Sequence, residues 1–131
     1  ESEGKKLFNS YDKLNNWEIG LERACCYAVE NRLLVIKMYH SIFRDNLINF
    51  FQNIIYSIIS RIVDSEFSNI FVKEDEKNFL INFYTFGCVG TLCKWLDNNM
   101  EEDYHMIVSK LHTIIHGSVQ DALIRFSGGK V

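Results

Sequence analysis

The chain has 131 residues, which is enough for one domain with a buried core and too few for two. Its composition, 47% hydrophobic and 24% charged, excludes a disordered chain, because disorder requires few apolar side chains and a high net charge. The formal net charge is −3 and the sequence contains no basic stripe, which excludes a chain that binds nucleic acid phosphates by itself.

The spacing of apolar residues predicts an all-α domain. Apolar side chains recur every three or four positions, strict alternation is absent, and the chain contains no proline. Polar turns divide the sequence into about five helices, which span residues 17–31, 33–42, 45–65, 74–98 and 101–126. We expect Asp45 to cap the third helix, and the acidic residues 74–76 to begin the fourth. Residues 127–129, Ser-Gly-Gly, end the last helix.

Three features favour a cytoplasmic protein that has no membrane partner. The most apolar stretch, residues 47–63, is interrupted by polar side chains such as Gln52 and Arg61, and it is shorter than the roughly 20 residues that a membrane span needs. No signal peptide opens the chain. The cysteines at 25, 26, 88 and 93 form no C-x-x-C pair, so we expect reduced and mostly buried thiols.

The fourth predicted helix has two apolar faces. One face carries Leu80, Tyr84, Cys88, Leu92 and Trp95, and the other carries Phe79, Phe83, Phe86, Gly87 and Gly90. A small monomer can cover one such face with its own chain, so the second face predicts either more of the same chain or a symmetric partner.

Two glycines lie on the second face, where each costs about 1 kcal/mol of helix propensity. Gly87 and Gly90 are expected where the backbone of another helix approaches closely. The alternative is that they only make room for bulky neighbours in the same chain, such as Trp95 or Phe126.

Two segments of the sequence contain recognisable motifs. Residues 28–51 contain the steps Glu30-Asn31-Arg32, Tyr39-His40-Ser41 and Arg44-Asp45-Asn46-Leu47. Residues 83–103 fit the pattern F-x-x-x-G-x-x-G-x-x-x-x-W-L followed by a short acidic turn. In these motifs, and in their order and separation, the sequence resembles the C-terminal domains of TetR-family transcriptional regulators, in the subgroup of the dihydroxyacetone-kinase regulators. The resemblance covers residues 17–115.

The resemblance implies that residues 1–131 form one C-terminal regulatory domain that binds an effector and dimerises. The last two helices would pair with their copies in a four-helix interface, formed by Phe83, Gly87, Gly90, Ile115, Val119 and Ala122. DNA would be bound only through an N-terminal helix-turn-helix domain that this chain does not contain. The expected partners are therefore a second copy and either a small apolar or aromatic effector or a protein coactivator.

Aromatic and sulfur-containing side chains of the first four helices predict where an effector would bind. Helical domains bind apolar ligands between such helices, with a few polar groups that fix the orientation of the ligand. The predicted pocket consists of Tyr27, Met38, Tyr39, Phe51, Ile55, Tyr84 and Cys88, and the hydroxyl groups of its three tyrosines would supply those polar groups. The alternative is that these side chains only fill the core, and that the domain is a helical scaffold that binds a protein and no small molecule.

No pattern in the sequence indicates catalysis, a cofactor or a metal site. The phosphate-binding and nucleophile motifs are absent, and the carboxylates are scattered over polar faces. His112 and His116 are four residues apart, but no H-E-x-x-H pattern accompanies them, and we interpret them as a solvated or interface pair. Cys88 lies among aromatic residues without a nearby cation, which is typical of an inert thiol.

Overall fold

A computed structural model of the protein describes residues 17–128. These residues form α-helices and no β-strand, which confirms the all-α prediction. The helices are α1 (Trp17–Glu30), α2 (Arg32–Tyr39), α3 (Arg44–Glu66), α4 (Glu74–Asp97), α5 (Tyr104–Ile115) and α6 (Ser118–Phe126). The bounds of α1 to α4 lie within three residues of the predicted ones.

The prediction of one long fifth helix was wrong. The segment is divided into α5 and α6, because Gly117 has a φ of 84° and so cannot continue a right-handed helix. Apolar residues keep their helical spacing from Leu111 through Ile115 to Val119, so the hydrophobic pattern shows no interruption at this point.

The helix starts were predicted with mixed success. Asp45 does not cap α3; Phe43 is the N-cap, and Asp45 lies in the first turn of the helix. The helix begins earlier than expected because the hydroxyl of Ser41 accepts a hydrogen bond from the backbone N–H of Phe43 and forms a tight turn there. The acidic start of α4 is confirmed, with Glu74, Asp75 and Glu76 all in its first turn.

The core is formed chiefly by α3 and α4, which make the most extensive contact between any two helices described. The first helix packs against α3 and α5, and α6 packs against α4 and α5. The core side chains that are least exposed, at 2% or below, include Leu21, Tyr39, Ile81, Leu92, Leu96, Val108 and Leu123. The segment 47–63 lies in α3 and contributes buried side chains along its whole length, so the prediction that it is a buried helix is confirmed.

Candidate functional site

The two faces of α4 have different environments. On one face Leu80, Cys88, Leu92 and Trp95 are buried in the core. On the other face, Phe79, Phe83 and Phe86 are 71%, 64% and 58% exposed. We call the exposed stripe formed by Phe79, Phe83, Phe86, Gly87 and Gly90 the phenylalanine face. Three exposed phenylalanines on one helix stripe form a contiguous apolar surface, and such a surface marks an interaction site in a folded protein.

Nothing in the described part of the chain packs on the two glycines of this face. A Cβ atom added at Gly87 or at Gly90 would have no neighbour within 4 Å. The interpretation that these glycines make room for Trp95 or Phe126 is therefore wrong for the described residues. The glycines leave the backbone of α4 open to an approaching helix, and the chain's own packing does not require them.

The other three residues predicted for the interface lie elsewhere. Ile115 and Val119 are 8% and 6% exposed, because they pack into the chain's own core where α5 and α6 meet. Ala122, on α6, is half-buried. The structure thus places Phe83, Gly87 and Gly90 on an accessible surface, and it places Ile115 and Val119 beneath the surface.

The seven residues predicted for a pocket are distributed between the core and its margin. Tyr39, Phe51, Ile55 and Cys88 are buried among other core side chains. Tyr27, Met38 and Tyr84 are half-buried.

The hydroxyl group of Tyr39 is fully engaged within the chain. It donates a hydrogen bond to Oδ1 of Asp97 at 2.7 Å and lies 3.2 Å from the carbonyl oxygen of Cys93. It also accepts a hydrogen bond from the guanidinium of Arg44 at 2.8 Å, and the Arg44 Cζ lies 3.9 Å from the centre of the Tyr39 ring. Burial and the bond to Asp97 raise the pKa of Tyr39 to about 12. This network joins the end of α2 to the end of α4.

The hydroxyl group of Tyr84 joins α4 to the start of α6. It lies 2.8 Å from Oγ of Ser118, which donates its own hydrogen to the carbonyl oxygen of Ile115. Because Ser118 has only one hydroxyl hydrogen, Tyr84 is the donor of the bond between them. Two of the three tyrosines that were expected to orient a ligand therefore already have partners in the chain.

The thiols of Cys25 and Cys88 are buried, and those of Cys26 and Cys93 are half-buried. All four cysteines are free. Burial raises the pKa of Cys88 to about 11, and burial, with the nearby Glu22 as a smaller cause, raises the pKa of Cys25 to about 12. A thiol with a raised pKa carries almost no thiolate at neutral pH, which agrees with the interpretation of Cys88 as an inert thiol.

A cavity that the sequence did not predict lies where α1, α3, α5 and α6 meet. Its volume is about 390 Å³, and it is lined by Trp17, Ile59, Ile62, Phe67, His112, Ile115, His116, Gly117, Val119 and Gln120. The rings of Trp17 and His112 are stacked with their centres 5.4 Å apart, and those of His112 and His116 are stacked at 5.0 Å. The spacing of the two histidines placed them on one face of a helix, but only the folded chain brings Trp17 beside them.

The fourth helix is long and apolar enough to cross a membrane by length and composition alone. Of its most apolar window, 44% is buried inside the helical domain. A core helix of a soluble protein meets the same two criteria of length and composition. One side of α4 is buried in the core in this way.

The described residues form a helical bundle in which α4 is buried on one side and exposed and aromatic on the other. A family model for the C-terminal region of TetR transcriptional regulators matches residues 15–117. The chain therefore belongs to a family of C-terminal regions of TetR-type transcriptional regulators. Comparison with curated proteins and comparison with solved structures both give no match.

Proposed function

We propose that this chain is the effector-sensing and dimerisation domain of a TetR-type transcriptional regulator. In this proposal the domain is not an enzyme, it acts in the cytoplasm, and it influences DNA only through an N-terminal helix-turn-helix domain. The steps Glu30-Asn31-Arg32 and Tyr39-His40-Ser41 support a finer placement, among the regulators of dihydroxyacetone kinase.

The observation that supports dimerisation is the phenylalanine face. Each phenylalanine buried at an interface contributes about 1.5–3 kcal/mol, so three side chains exposed in water forgo a large stabilisation. A second copy, related by a two-fold axis, would present the same stripe and cover all three side chains at once. The open Cα positions of Gly87 and Gly90 would let the two α4 backbones approach closely.

Sedimentation equilibrium of the chain at high micromolar concentration tests the dimer. We expect a dimer for the unaltered chain, and we expect Phe83→Ser to raise the dimer dissociation constant at least about tenfold, since aromatic side chains dominate interface energies. Phe71→Ser is the matched control, because Phe71 is 74% exposed and lies between α3 and α4, outside the phenylalanine face. A chain that stays monomeric at these concentrations would contradict the proposal.

Effector sensing follows, in this proposal, from how α4 is held. The helix is bonded at one end to α2 through Tyr39 and Asp97, and in its middle to α6 through Tyr84 and Ser118. A ligand that binds one arrangement of these helices better than another would shift the orientation of the phenylalanine face. In a full-length dimer, that shift would alter the spacing between the two DNA-binding domains, which determines how well they fit an operator.

A second candidate is a helical protein-interaction module that binds a coactivator and no small molecule. It is favoured by further exposed apolar side chains on α2 and in the turn that follows it, where Leu33, Leu34, Ile42 and Phe43 are 87%, 58%, 90% and 55% exposed. Thermal unfolding in the presence of small aromatic compounds separates the two candidates. A sensing domain gains stability when its ligand binds, whereas a pure scaffold shows no change with any of them.

A further inference from the structure

The cavity between α1, α3, α5 and α6 has the size of a small-molecule site. Its volume of about 390 Å³ lies in the range of about 300–1,000 Å³ that is usual for ligand pockets. The helix is interrupted at Gly117, and the end of α5 and the first turn of α6 both line the same cavity. None of the residues predicted for an effector pocket lines this cavity.

The wall of the cavity presents flat ring surfaces. Trp17, His112 and His116 form one continuous stack, with interplanar angles of 29° and 25° between successive rings. Of the other lining residues between 17 and 128, all but Gly117 and Gln120 are apolar, namely Ile59, Ile62, Phe67, Ile115 and Val119. A wall of stacked rings beside aliphatic side chains favours a planar, largely apolar ligand.

The polar groups at the cavity favour a ligand that also carries a negative charge. Among the described residues that line it, none is Asp, Glu, Lys or Arg. Both imidazoles and the Gln120 carboxamide can donate hydrogen bonds. The first turn of α6 is also part of the lining, and no side chain caps it, because Gly117 occupies the N-cap. The unpaired N–H groups and the dipole of a helix start attract an anion. Asp121 lies in the same turn but is exposed and does not line the cavity.

We propose that this cavity binds a planar aromatic carboxylate, with its ring against Trp17, His112 and His116 and its carboxylate at the start of α6. The inference names the class of effector and the place where it binds, and it rests on the proposed function only in treating this ligand as an effector.

Calorimetric titration of the chain with 2-naphthoate tests the inference, with two compounds for comparison. The amide 2-naphthamide has the same flat rings and no charge, and cyclohexanecarboxylate has the charge and no aromatic ring. We expect one naphthoate per chain and at least about tenfold weaker binding of both other compounds, since charge-assisted hydrogen bonds and ring stacking are each lost in turn. Absence of naphthoate binding at millimolar concentration, or equal binding of all three compounds, would overturn it.

A charge introduced at the start of α6 separates binding from folding. Gln120 is exposed, and an acidic residue in the first turn of a helix favours folding, so Gln120→Glu should leave the melting temperature unchanged or slightly higher. The same substitution should weaken naphthoate binding about tenfold through repulsion of the carboxylate. Asn53→Asp, at an exposed position of α3 outside the cavity, adds the same charge and should leave naphthoate binding unchanged. Equal effects of the two substitutions on binding would contradict the inference.

The ring stack has its own matched pair of variants. His116→Ala removes the last ring of the stack and should weaken naphthoate binding, whereas His105→Ala removes a ring that stacks on Tyr104 of the same helix outside the cavity.

Failure of the cavity inference can be distinguished from failure of the proposed function. A dimer that binds no naphthoate contradicts only the cavity inference, and a monomer that binds it contradicts only dimerisation.

Discussion

Tyr39 combines complete burial with a polar group, and its hydroxyl is compatible with the core only because of its partners. The bonds to Asp97 and Arg44 offset the cost of removing that hydroxyl from water. The sequence marked Tyr39 as a ligand-orienting residue because it shows the residue type and the helical position. It does not show the partner, since Asp97 is 58 positions away.

We expect Tyr39→Phe to lower the free energy of unfolding by about 1–3 kcal/mol, because the substitution leaves Asp97 and Arg44 without their buried partner. Urea unfolding followed by circular dichroism measures the loss. Asp97→Asn keeps an acceptor oxygen for the tyrosine and should cost less. An unchanged free energy of unfolding for Tyr39→Phe would show that the hydrogen bonds of this hydroxyl do not stabilise the fold.

Burial of the Cys25 thiol makes the free energy of unfolding depend on pH in the alkaline range. Its pKa is raised from 9.0 in the unfolded chain to about 12 in the folded one. The unfolded chain therefore loses this proton first, and stability that is fully present below pH 9 decreases as the pH rises toward 12. Cys25→Ala should reduce the slope of unfolding free energy against pH, above pH 9, by up to about 1.4 kcal/mol per pH unit. Equal slopes for the variant and the unaltered chain would refute this assignment; urea unfolding between pH 8 and 10.5 measures them.

At the scale of the helices, most of the fold could be predicted and one boundary could not. The two faces of α4 follow from residue spacing alone, because positions three and four apart lie on the same side of a helix. The break between α5 and α6 follows from a backbone angle at one glycine, while the apolar pattern on either side runs on unchanged. The aromatic cavity was missed because Trp17 and His112 meet only through the packing of α1 on α5.

Substitution of Gly117 tests the boundary between α5 and α6. Its φ of 84° is unfavourable for any residue with a side chain, so Gly117→Ala should lower the unfolding free energy by about 1–2 kcal/mol. A Cβ at this position would meet nothing within 4 Å, so the loss would come from the backbone conformation and not from crowding. Asn tolerates this conformation better than other residues, and Gly117→Asn should cost less than Gly117→Ala. Thermal unfolding of both variants measures the difference, and equal melting temperatures for all three chains would contradict the assignment.

At the scale of the whole molecule, folding and self-association make opposite demands on Gly87. Within one chain, Gly87→Ala meets no neighbour and gains about 1 kcal/mol of helix propensity, so it should stabilise the monomer. Across a close pair of α4 helices, the added methyl groups would collide, so the dimer dissociation constant should rise. Thermal unfolding in the Phe83→Ser background measures the first effect, and sedimentation of the single variant measures the second. A more stable chain with undiminished dimerisation would show that Gly87 does not contact a partner.

The unbroken length of α4 has a mechanical consequence. A helix of 24 residues is about 36 Å long and bends little. Its last residue, Asp97, is bonded to Tyr39, whereas the exposed Phe79 and Phe83 lie in its first half and Phe86 lies just past its middle. If the helix pivots at Asp97, a tilt of about 10° displaces its first turn by about 6 Å, as the geometry of a rod of that length requires. In such a pivot, a small adjustment at the Tyr39 end would become a movement of several ångströms at the other end, and α4 would act as a lever arm.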